Sequence, residues 1–86
     1  MSMASVNLDE NFTAELEAYN RAFRDLELPW HWDASTFREL IQNAPDRDLV
    51  GTYVQRSHAH LLRVYEKPFL SNLVLTAKAR NEQQLN

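Results

Sequence analysis

The sequence predicts an all-α fold, a small bundle of four antiparallel helices, and three observations predict it. Chain breakers are scarce, one glycine and three prolines in 86 residues. No Asn-Gly or Asp-Gly pair is present to close a tight hairpin. Apolar residues recur at intervals of three and four rather than in alternation. Each proline falls where one apolar stripe ends or the next begins, the position a residue without an N–H and with a fixed φ tolerates best.

The first stripe is Phe12, Leu16, Tyr19, Phe23 and Leu26, and it predicts a helix over 9–27 capped by Asp9. Glu17 and Arg21 lie four apart on its polar face, the spacing at which opposite charges meet. Pro29 closes it. The connection Leu28-Pro29-Trp30-His31-Trp32 carries too much apolar surface for a solvated loop and is expected to fold back over the core.

Phe37, Leu40, Ile41 and Ala44 give a second helix over 34–44. Asp33 and Ser35 compete as its cap, and Thr36 with Glu39 has capping-box spacing. Pro45 stops it. A third helix over 46–67, capped by Asp46, buries Val50, Tyr53, Val54, Ser57, Leu61, Val64 and Tyr65. Leu49 and Leu62 widen its apolar arc beyond that of a helix packed on one side. Pro68 then opens a fourth helix over 68–83 with Phe69, Leu70, Leu73, Val74 and Ala77 inward. If Pro68 only kinks a long last helix, the count falls to three. Residues 1–86 read as one domain with loose ends at 1–8 and 84–86.

Composition excludes several functions. With no cysteine, disulfides, thiolate zinc sites and thiol catalysis are ruled out. One glycine permits no glycine-rich phosphate loop. The longest apolar run, Leu73-Val74-Leu75, is far short of the roughly 20 residues that span a bilayer, and no secretion signal is visible, so a cytoplasmic protein without membrane contact is expected. Net charge is −3 but uneven. Residues 1–45 hold three basic and eight acidic side chains, and residues 46–86 hold six basic and four acidic. Such halves attract each other, within one chain or between two.

His58 and His60 are the first candidates for chemistry. Two positions on a continuous helix are about 200° apart, so the rings are expected to diverge, and neither has a ligand-type residue at i±3 or i±4. Ser57 beside His58 does not face it on a helix, and no acid–base pair is set apart from the polar faces, so no catalytic residues and no enzyme activity are expected. The second and third helices resemble a helix-turn-helix only in spacing. Asp46 and Asp48 at the start of the would-be reading helix would repel phosphates, and no nucleic acid is expected as a partner.

What remains points to a non-enzymatic helical protein–protein interaction module, homodimeric, with no cofactor. A small domain without disulfides gains buried surface most readily from a second subunit. Trp30, Trp32, Leu62 and Leu75 are the expected apolar anchors. Arg56, Arg63 and Lys67, a basic strip on one side of the third helix, would orient a partner's acidic helix face. The alternative is a small ligand or metal carrier, with His31, His58 or His60 lining a pocket under the tryptophans.

Overall fold

A computed structural model describes residues 2–84, with the side chains of 11–81. Among these residues there are four α-helices and no strand: α1 Ser2–Asp25, α2 Ala34–Asn43, α3 Leu49–Ser57 and α4 Lys67–Gln84. Short 3₁₀ turns occupy Pro45–Arg47 and Ala59–Arg63. α4 packs along α1 and α3, and α2 packs on α1 and α3. The fold class is the predicted one.

α1 starts at Ser2 rather than at Asp9. No proline or glycine precedes Pro29, so nothing interrupts the helix before that point. Most of the expected loose stretch 1–8 is therefore helical, and Gln84 belongs to α4. Met1, Leu85 and Asn86 lie outside the described residues. The other end of α1 closes with paired backbone bonds, Leu28 N–H to Phe23 O at 2.9 Å and Glu27 N–H to Arg24 O at 3.0 Å. This is the Schellman pattern, with Glu27 in the left-handed conformation (φ 59°) that glycine usually takes.

Asp33 wins the contest to cap α2, its Oδ1 accepting from Thr36 N–H at 2.8 Å and Ser35 Oγ at 3.1 Å. Those bonds to the ionised form, the Thr36 N–H first, hold its carboxyl below the usual value of 3.8.

The expected third helix over 46–67 is two pieces. Asp46 does not cap it, because Asp46 and Arg47 both have positive φ and turn the chain. Asp48 caps α3 instead, accepting from Gly51 N–H at 3.0 Å and from Ser71 Oγ of α4 at 2.6 Å. The lone glycine sits directly under this cap, where a Cβ would collide with the Asp48 carboxylate. α3 then stops at Ser57. His58 leaves helical geometry (φ −139°, ψ 43°), and its ring stacks on Trp30 with centroids 5.3 Å apart. Packing on a tryptophan thus overrides a weak local preference. The break rotates all that follows, so Val64 and Tyr65, expected in the core, face solvent.

The core is mainly aromatic. Trp32 is fully buried, with ring centroids 5.0 Å from Tyr19 and Phe23 and 5.3 Å from Tyr53. Trp30 meets Phe23 and Tyr53 edge-on. Val50, Val54, Leu70, Val74 and Ala77 complete the cluster from α3 and α4. Such edge-to-face ring pairs each contribute about 0.5–1.5 kcal/mol beyond area burial. Buried Asn20 pins the tryptophan connection to α1. Its Nδ2 donates to Trp32 O at 2.9 Å and its Oδ1 accepts from Trp32 N–H at 2.8 Å. Lys78 ties α4 to α1 through Glu15 at 3.1 Å.

Candidate interaction surface

Exposed large apolar side chains concentrate in the segment that follows the α3 break. Val64, Tyr65, Phe69 and Leu73 are 74%, 44%, 52% and 38% exposed. The Tyr65 and Phe69 rings stack on each other, 5.6 Å between centroids and 14° between planes. Beside them runs a cleft of about 300 Å³ lined by Leu26, Phe69, Leu73 and Ala77, with Asn72, Thr76 and Arg80 along it. Neighbouring apolar groups left in water are the usual mark of a surface that binds something.

Helical geometry explains the cleft. Leu70, Val74 and Ala77 turn inward and are buried, while Phe69 lies about 110° and Leu73 about 70° around α4 from the centre of that buried face. The apolar stripe of α4 is thus wider than the surface α1 and α3 cover. Arg80 lies seven residues after Leu73, two helical turns on and close to the same face of α4, and Glu66, seven residues before Leu73, immediately precedes the helix.

The expected anchors fall elsewhere. Trp30 and Trp32 belong to the core, 6% and 0% exposed, and present no surface to a partner. Asn20 and the surrounding rings draw them in. Leu62 is half-buried against the same core. Leu75 is exposed, 45%, in a second depression that borders the cleft through Asn72, Thr76 and Arg80. Arg56, Arg63 and Lys67 lie on α3, the following turn and α4 rather than on one continuous helix. Arg56 pairs with Glu39 at 3.3 Å and Lys67 bonds Gln55 at 3.0 Å, exposed contacts of small energetic value.

The histidines are also rearranged. The end of α3 brings His58 and His60 together, ring centroids 6.1 Å apart, where a continuous helix would have separated them. His58 Nε2 lies 3.3 Å from the Tyr53 hydroxyl. Burial, then the neighbouring His60, lowers the His58 pKa from its usual 6.5, and burial raises that of Tyr53. Among the described residues no three His, Asp or Glu side chains are grouped to hold a metal ion. His31 lines a cleft with Glu17, Asn20, Arg21 and Arg24, whereas His58 stacks on Trp30. No described helix is long and apolar enough to cross a membrane.

The sequence did not reveal the Tyr65–Phe69–Leu73 surface, because Tyr65 fits an inward stripe when the third helix is read as continuous, and Phe69 and Leu73 belong to an apolar stripe of α4 wider than its neighbours cover. The one available signal was Ser57-His58, two modest helix formers ahead of Ala59.

The described residues thus form a small helical domain with an aromatic core and an exposed apolar face on α4. No protein-family model matches the chain, and no solved structure does. A stretch of 46 residues, 54% of this chain, is 37% identical to part of Protein CbbY, plasmid, of Cupriavidus necator. The aligned stretch is 18% of that protein's length.

Proposed function

We propose that the chain is a non-enzymatic interaction module that pairs with a second copy of itself through the α4 face centred on Leu73. The observation that carries this reading is the exposed, mutually stacked Tyr65 and Phe69 beside the Leu26–Leu73 cleft. Charge placement favours a second copy over another occupant. When two α4 helices cross antiparallel about Leu73, a two-fold axis sets each Glu66 near Arg80 of the second copy. The same axis sets Phe69 over the Ala77 end of the opposite cleft, where a large ring meets a small side chain. One surface is then complementary to itself in both shape and charge.

Sedimentation equilibrium on the untagged protein tests this. A dimer that Phe69→Ser converts to a folded monomer supports it. A monomer at tens of micromolar overturns it. The partial likeness to a much longer protein gives a second reading, in which the same face packs on another folded domain. A monomeric wild type is what that reading predicts.

A further inference from the structure

A second concavity lies away from the α4 face and has polar walls. It is about 340 Å³ and is lined by Glu17, Asn20, Arg21, Arg24 and His31. Only three basic residues occur in the acidic first half of the chain, and two of them are here. Arg21 and Arg24 are three apart on α1 and project from one face. Neither makes an ion pair with another described residue. The nearby acid Asp25 is turned to α4, where its Oδ2 accepts from Asn81 Nδ2 at 2.6 Å. Three carbonyls in the last turn of α1, those of Ala22, Phe23 and Arg24, which would repel an anion, are occupied by the Leu26, Leu28 and Glu27 N–H groups.

The opposite wall is held in place. His31 sits between two buried tryptophans, and an extended connection that sends Trp30 and Trp32 inward sends the intervening side chain outward. The two Asn20 bonds to the Trp32 main chain fix that connection on α1 one residue from His31. Two guanidinium groups from the helix and an imidazole from the connection thus border the same cleft. Donors from several directions suit a tetrahedral oxyanion with three free oxygens better than a planar carboxylate. Glu17 stands one turn before Arg21, in line with the arginines. It opposes a bare anion but accepts hydrogen bonds from a hydroxyl group. The volume lies at the small end of the range for small-molecule sites.

We propose that this cleft binds a small, hydroxyl-bearing phosphate monoester, with Arg21, Arg24 and His31 on the phosphate and Glu17 on a hydroxyl of the organic part.

The test is an NMR titration of the full chain at constant ionic strength with glycerol 3-phosphate, inorganic phosphate, glycerol and sodium chloride. The expected result is saturable shifts of the residue 20–32 amides with glycerol 3-phosphate, at a Kd of about 1 mM or tighter, and weaker binding of inorganic phosphate. Arg21→Gln with Arg24→Gln should weaken binding at least about tenfold, with the near-ultraviolet dichroism of the aromatic core unchanged. Glu17→Gln should bring inorganic phosphate level with the ester, by removing both the repulsion and the hydroxyl contact. Shifts that grow linearly with ligand, that sodium chloride reproduces, or that survive the double arginine substitution mean an adventitious ion only and overturn the assignment. Inorganic phosphate binding wild type as tightly as the ester also overturns it.

Discussion

Replacing Asn20 with alanine should be among the most damaging single changes in this chain. Its side chain, 7% exposed, satisfies both the N–H and the C=O of Trp32, a residue with no exposure of its own. Alanine leaves two main-chain groups without partners in an aromatic interior. Each orphaned group costs about 1–3 kcal/mol, and the smaller side chain leaves a hole for which water is a poor tenant among rings. The loss should be about 3 kcal/mol, which at roughly 4–8 °C per kcal/mol lowers Tm by about 12–24 °C. Urea denaturation followed by tryptophan fluorescence measures it directly. Asn20→Asp separates the two bonds, since it can still accept from the Trp32 N–H but cannot donate to the carbonyl. A loss under about 1 kcal/mol for Asn20→Ala would refute the reasoning, because the Trp32 main chain would then be satisfied some other way.

Gly51→Ala should destabilise the fold by about 1–2 kcal/mol, although alanine at an ordinary helical position gains about 1 kcal/mol over glycine. The added Cβ displaces the Asp48 carboxylate, which caps α3 and also holds Ser71; a raised Tm in differential scanning calorimetry would contradict this. His58 gives a pH dependence with a defined sign. Its folded pKa lies below 6.5, so the unfolded chain binds the proton more readily. Its stabilising contribution is complete above that value and is lost as pH falls from 6.5 toward the folded pKa. Urea midpoints between pH 7.5 and 5.5 should fall in the wild type and fall less in His58→Gln.

Much of the fold was legible because it rests on local chemistry. The stripe of α1, the stop before Pro29, the start of α4 beside Pro68 and the infolding of Trp30 and Trp32 follow from spacing and apolar area. Two features were not legible, and both are tertiary. Asp48 rather than Asp46 caps α3 because Ser71, 23 residues away, supplies a second bond to its carboxylate. α3 ends at Ser57 because His58 packs on a tryptophan 28 positions earlier. That break decides the candidate surface. It moves Val64 and Tyr65 outward, brings the two histidines together and divides the three basic residues among three elements. A helical pattern reports a residue's angle about its own axis, and the angle transfers along the chain only while the helix is unbroken.

The most direct test of self-pairing through α4 is a charge swap across the two-fold axis, read by sedimentation equilibrium. Glu66→Arg alone or Arg80→Glu alone sets like charges opposite each other at both ends of the interface. With exposed pairs worth roughly 0.5–1 kcal/mol each, either swap should raise the dimer Kd about tenfold or more. The account predicts that Glu66→Arg combined with Arg80→Glu restores the wild-type Kd. A double variant as weak as the sum of the singles, or singles that leave the Kd unchanged, would contradict the antiparallel pairing about Leu73.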